Sequence, residues 1–229
     1  MEEKEETIIN MIDEMRKLGY SDEQIIKDFE GKLLEVKNIK LSIYFARRIS
    51  GANVRAHGQV IIDSGDLKEN YIFARDVTGA DVKAHGQVII DSKDLDYNYN
   101  FASDVEGADV KAHGQVIIDS GDLEKNYRFA RNVRGADVKA HGQLIIDSKN
   151  LEYNFSFARY VKGADVKAHA QVIMDGKSEE YNAKFMQEVE GADIGAHVAA
   201  FNNIKIRSYK ESLNECLDSI IKEKVLVKK

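Results

Sequence analysis

Leu67, Asn70, Tyr71, Phe73, Ala74 and Val77 recur at three- and four-residue steps, the spacing that lays side chains along one side of a helix. This predicts helix A over residues 67–78. Ser64 and Asp66 are its candidate N-caps, because their side-chain oxygens can accept from the free N–H groups of a first turn. Gly79 is placed to stop it, since glycine turns left-handed beyond a helix end without a Cβ clash. Asp81 then caps a second helix, B, over 82–91, which carries Val82, His85, Val88, Ile89 and Ile90. The run QVIIDS also admits a strand, being short and β-branched, but the spaced leucines of a horseshoe repeat are missing and the helix is preferred.

The pattern restates itself every 28 residues, and all six histidines mark it: His57, His85, His113, His141, His169 and His197. Around them stand GANVRAHGQVIIDS from Gly51, GADVKAHGQVIIDS from Gly79 and Gly107, GADVKAHGQLIIDS from Gly135, GADVKAHAQVIMDG from Gly163 and GADIGAHVAAF from Gly191. A longer period of 56 residues lies above it: GDLKENYIFAR and GDLEKNYRFAR, from Gly65 and Gly121, alternate with KDLDYNYNFAS and KNLEYNFSFAR. Helical hairpins of this kind cannot bury both faces alone, so neighbours supply the core and the ends need caps. The expected fold is all-α, an α-solenoid of 28-residue helix-turn-helix repeats in one elongated domain. Residues 1–40 form an N-terminal cap, with an apolar stripe of Ile8, Ile12, Met15 and Leu18 and a capping-box sequence, SDEQ from Ser21, ahead of Ile25, Ile26 and Phe29. Residues 41–201 hold about six repeats, the first degenerate, with Phe45, Ala46 and Ile49 in the positions of Phe73, Ala74 and Val77. Residues 202–229 give a C-terminal capping helix, apolar along Ile206, Tyr209, Leu213, Cys216, Leu217 and Ile220, and a fraying tail, KVLVKK.

The pattern NYxFARxVxGADVKAHxQVII, over residues 41–201, resembles the 28-residue helical repeats of uncharacterised bacterial and prophage-type proteins, and more generally TPR, HEAT and Sel1-like α-solenoids. The TPR marks themselves are absent, since the chain has no tryptophan, no proline and a unit shorter than 34 residues. The resemblance implies a protein-binding scaffold, with a narrower form as an inhibitor or decoy of a bacterial defence or toxin protein.

Composition narrows the classes. At 43% hydrophobic and 31% charged residues the chain is foldable, and no apolar run approaches the roughly 20 residues of a membrane helix. The acidic start, MEEKEETIINMIDEM, lacks the basic region and apolar core of a secretory signal, so the cytoplasm is the expected compartment. Cys216 is the single cysteine, expected as a small buried hydrophobe, and excludes an internal disulfide. A net charge of −6 opposes a general polyanion binder, although Arg55, Lys83, Lys111, Lys139 and Lys167 in the first turn of helix B, with Arg75, Arg131 and Arg159, keep a nucleic-acid reading open.

Repeated residues read as architecture. Histidines one helical layer apart sit near the 8 to 10 Å packing distance, too far to share an ion. Each is expected to bond a backbone carbonyl or an asparagine. Asn70, Asn98, Asn126, Asn154 and Asn182 share the core face of helix A and are expected to tie one layer to the next. Gly86, Gly114 and Gly142 inside helix B point to close helix packing, and their isolation argues against a phosphate loop. Asp63, Asp91, Asp119, Asp147 and Asp175 near the end of helix B oppose its dipole, so solvation or salt bridges must hold them. No cofactor or metal is expected, and no catalytic site, because every histidine is a copy of the others.

Function is then sought where repeats differ. Glu69, Tyr97, Lys125, Tyr153 and Tyr181 occupy one register, Ile72, Asn100, Arg128, Ser156 and Lys184 a second, and Asp76, Asp104, Asn132, Tyr160 and Glu188 a third. Three and four residues apart, these form one stripe on the outer side of helix A. Tyr97, Lys125, Arg128, Tyr153, Tyr160 and Tyr181 are the candidate partner-binding residues, and the expected partner is another protein.

Overall fold

The computed structural model describes the backbone of residues 2–226 and the side chains from residue 3 onward, except 209, 212, 213 and 216–226. The expected apolar side chains Tyr209, Leu213, Cys216, Leu217 and Ile220, and residues 227–229 of the KVLVKK tail, lie outside the described residues. The fold is all-α, an α-solenoid of 28-residue hairpins, with no strand among the described residues. The QVIIDS segments are helical throughout. Contacts divide the chain into two compact units, Met1–Ser120 with Val133–Ala136, and Gly121–Asn132 with Asp137–Lys229.

Unit 1 opens with α1 (Glu2–Lys17), α2 (Asp22–Ile25), a π-helical turn (Ile26–Glu30) and α3 (Gly31–Val36). Ser21 caps α2 in a full capping box, its hydroxyl accepting from Gln24 N–H while the Gln24 side chain accepts from Ser21 N–H. Ile12, Ile25, Leu33, Leu41, Phe45 and Ile49 form the first core cluster. Leu18, expected on the apolar stripe, is 81% exposed, because α1 ends at Lys17 and the chain turns away there. Three hairpins follow: α4 (Ile39–Arg48) with α5 (Val54–Ser64), α6 (Leu67–Asp76) with α7 (Val82–Ser92), and α8 (Leu95–Asp104) with α9 (Val110–Asp119). Unit 2 holds α10 (Leu123–Asn132), α11 (Val138–Asp147), α12 (Leu151–Tyr160), α13 (Val166–Asp175), α14 (Glu179–Glu188) and α15 (Ile194–Leu226). The last helix B and the C-terminal helix are thus one continuous element.

The caps explain the hairpin. Asp66 accepts from Glu69 N–H and Asp81 from Ala84 N–H, each satisfying a first-turn donor. Ser64, the last residue of α5, is not the cap: it donates to Ile61 C=O and accepts from Asp66 N–H. Helix A stops at Asp76, two residues sooner than its apolar spacing suggests. Val77 is extended yet 5% exposed, so it still reaches the core, and Gly79 turns the loop at φ +84°.

Candidate interaction surface

The histidine column is interior. All six imidazoles are 0 or 1% exposed. In the second hairpin His85 Nδ1 lies 2.7 Å from Asn70 Oδ1, while Asn70 Nδ2 donates to Ile61 C=O at 3.0 Å and to Asp66 C=O at 2.8 Å. Because the amide nitrogen already serves two carbonyls, its oxygen accepts and the imidazole proton sits on Nδ1. Asn98 with His113, and Asn154 with His169, repeat the arrangement. Asn70, Asn98 and Asn154 therefore each tie their helix to the helix B before and the helix B after. Phe73 lies against His85 with ring centroids 4.9 Å apart, and the later hairpins pair Phe and His alike. Burial lowers the pKa of His85, His113, His141 and His169 to about 4, which leaves them neutral and without acid–base use near pH 7.

The first hairpin departs from this. Ser42 stands in the asparagine register, too short to reach, and neither Ser42 Oγ nor His57 Nδ1 has a partner. His57 Nε2 instead faces Glu30 at 3.3 Å.

The glycine column makes room for the next layer. A Cβ on Gly58 would stand 3.2 Å from both Phe73 Cε1 and His85 Nε2, and one on Gly86 3.1 Å from Phe101 Cε1. Ala170 takes that register against the Phe185 layer, where the Asn182 to Ile173 C=O bond is 3.4 Å long, against 3.0 Å for Asn98 to Ile89 C=O behind Gly86. The aspartates near the end of helix B are held on their own helix, each accepting from the glutamine one turn earlier, as Asp91 does from Gln87 at 2.7 Å. The grooves between neighbouring helices B, about 570 Å³ along α7 and α9 and about 630 Å³ along α11 and α13, carry corresponding residues in each copy and so do not distinguish one repeat from another.

The outer face of helix A is where the repeats differ, and its three registers differ in exposure. In the first, Tyr97, Lys125, Tyr153 and Tyr181 are half-buried rather than fully exposed, the three tyrosines because their rings lie over the edge of the core. Tyr97 packs against the Ile89 and Phe101 cluster, Tyr153 against that of Ile145 and Phe157, and Tyr181 against Phe155 and Phe185. Tyr153 meets Tyr127 edge-on at 6.5 Å, and the Lys184 ammonium sits 5.4 Å above the Tyr181 ring. In the second, Arg128 is exposed and 3.7 Å from Glu124.

The third register stitches layers together. In unit 1 Asp76 faces Arg47 at 3.5 Å, and Asp104 accepts from the Tyr71 hydroxyl at 2.6 Å. In unit 2 Glu188 pairs with Arg159. Tyr160 is the exception, 43% exposed, with Arg159 4.7 Å and Arg131 5.1 Å from its ring centroid.

Neighbouring α10 and α12 of unit 2 therefore carry Lys125, Arg128, Tyr153 and Tyr160, while Tyr181 follows on α14 and Tyr97 belongs to unit 1. Tyr127 and Arg131 join this surface without having been among its expected residues. The signal for them lay in the register: Arg131 is followed by Asn132 where Arg75 is followed by Asp76.

Among the described residues no group of three or more His, Cys, Asp or Glu is placed to hold a metal ion, and no helix is long and apolar enough to cross a membrane. Comparisons with family models, curated proteins and solved structures find no match.

Proposed function

We propose that the chain is a non-catalytic helical-repeat module of the cytoplasm that binds another protein through the outer face of helix A, chiefly the part of unit 2 built by α10 and α12. The observation that carries this is Tyr160, an exposed aromatic between two guanidinium groups, on the pair of helices that also carries Tyr153 and Arg128. Tyrosine and arginine dominate the energetics of protein interfaces, since they offer large contact area with few rotamers to freeze. The interior supports the non-catalytic part: its histidines are buried, and His85, His113, His141 and His169 are neutral copies of one asparagine-bonded arrangement. The resemblance to prophage-type repeats extends the reading to an inhibitor or decoy of a bacterial defence or toxin protein.

The test is affinity capture from cell lysate with the wild-type chain and with Tyr153→Ala, Tyr160→Ala combined. A protein retained by the first and lost by the second supports the surface; recovery of the same protein in equal amount by both rejects it.

One observation favours a second reading. Arg55, Lys83 and Lys111 are exposed and have no carboxylate partner in unit 1 among the described residues, so they are free to meet phosphates. Oligonucleotide binding that weakens steeply with salt, and loses part of that slope in Lys83→Gln, would support it.

A further inference from the structure

Helix A carries arginine at one register in four repeats, as Arg47, Arg75, Arg131 and Arg159. Three of them meet a carboxylate. In unit 1 both Arg47 and Arg75 reach Asp76, the latter with Nε donating at 2.6 Å, and in unit 2 Arg159 pairs with Glu188. Among the described residues Arg131 has no such partner, because the two positions that supply these acids hold Asn132 on its own helix and Tyr160 on the next helix A.

Its guanidinium is nevertheless held in place. Nη1 donates to the Tyr127 hydroxyl at 2.9 Å, and the guanidinium carbon lies 5.8 Å from the Tyr127 ring centroid and 5.1 Å from that of Tyr160. Arg131 is exposed, and a guanidinium offers five N–H donors in a planar fork, of which Tyr127 takes one. Contact with two aromatic faces removes side-chain freedom before any partner arrives, so less is lost on binding.

We propose that Arg131 is a pre-organised anchor for a single Asp or Glu carboxylate on the protein partner, received between Tyr127 and Tyr160. This rests on the reading of the outer face of helix A as the binding surface. A single protein carboxylate fits better than a nucleic-acid backbone because Arg131 and Arg159 flank Tyr160 itself, whereas carboxylates act on the neighbouring Tyr153 and oppose a row of phosphates. The Tyr153 phenol beside this site is raised in pKa by burial first and then by the charges of Glu124, Glu152 and Asp122, which would repel an extended polyanion while leaving room for one carboxylate on Arg131.

The probe is a phage-displayed library of random dodecapeptides selected on the immobilised full chain, with the recovered peptides then made synthetically and titrated by fluorescence anisotropy. The anchor predicts enrichment in Asp and Glu, and a loss of affinity of about tenfold or more in R131Q. Y160D should weaken binding as well, because it places an internal carboxylate at the register of Asp104 and Glu188 and occupies Arg131. Unchanged circular dichroism and unfolding midpoints in both variants establish that they fold. Peptides without acidic enrichment, or acidic peptides that bind R131Q as tightly as wild type, overturn the proposal. If Y153A weakens those peptides while R131Q does not, the anchor fails and the surface stands; if none of the three substitutions matters, the surface reading fails too. Tighter binding of single-stranded oligouridylate than of any selected peptide, lost in R131Q, would assign the guanidinium to phosphate and also overturn it.

Discussion

Each interior asparagine has a defined set of bonds, and the cost of losing them can be stated. Asn98→Ala leaves the side of Ile89 C=O, the side of Asp94 C=O and His113 Nδ1 without their partner, and unpaired buried polar groups cost about 1 to 3 kcal/mol. Denaturant unfolding should show that loss, and an unchanged midpoint would remove the asparagine from the account of stability. The histidines give a pH dependence whose sign is fixed by burial. Their pKa falls from about 6.5 in the unfolded chain to about 4 for His85, His113, His141 and His169, burial being the main cause and the capping aspartates opposing it. Their stabilising contribution is fully present above pH 6.5; as pH drops towards 4 the unfolded chain takes up protons that the native chain refuses, and stability is lost. Each of these histidines accounts for roughly 3 kcal/mol at the limit. Urea midpoints that stay level between roughly pH 7 and pH 4 would contradict it. The repeat spacing made the structural role of His and Asn legible. That the two meet each other was open, since an asparagine and a backbone carbonyl are equally good acceptors for an imidazole.

At the level of the helix, the caps were readable and the stops less so. Asp66 and Asp81 cap as their positions suggest, because a short acceptor before an apolar run has one favourable use. Val77 misled, because apolar spacing reports burial and not backbone conformation: the residue is core and already outside the helix. The longer sequence period has a conformational counterpart. Gly65 and Gly121 follow helix B with φ of +66° and +70°, whereas Lys93 and Lys149 hold the same left-handed position at +57° and +56°. A side chain there costs energy that glycine avoids, so Lys93→Gly should raise stability by about 1 kcal/mol after allowing for the greater freedom of glycine in the unfolded chain. A lower melting temperature for this variant would mean that the lysine side chain makes a compensating contact. Gly86→Ala tests packing in the opposite direction: helix propensity favours alanine by about 1 kcal/mol, yet the added Cβ meets the Phe101 ring at 3.1 Å. The lengthened Asn182 bond in the layer behind Ala170 indicates that the helices yield by a few tenths of an ångström, so Gly86→Ala should destabilise by less than Asn98→Ala. A larger loss than that of Asn98→Ala would show a rigid layer.

Across the molecule, repeated positions build the interior of each unit and differing positions lie on helix A, where part of the difference proves to be stitching between layers. Asp76, Asp104 and Glu188 were expected as free surface and are occupied by Arg47, Tyr71 and Arg159. Their use was hidden in the sequence because the partner lies about one repeat away and becomes visible only once the helices are stacked. The same fact marks out the candidate surface, since Tyr160 replaces an acid at that register and Arg131 meets none among the described residues. With these stitches set aside, the surface proposed for unit 2 is carried by α10 and α12, with Tyr153 half-buried and Tyr160 exposed. The most direct measurement is site-specific photo-crosslinking in cells, with benzoylphenylalanine placed in turn at Tyr160, on the outer face of helix A, and at Gln171, exposed on helix B of the same unit. A binding face on helix A gives a discrete protein adduct from position 160 and none from position 171; an adduct from position 171 alone, or from neither, rules that face out.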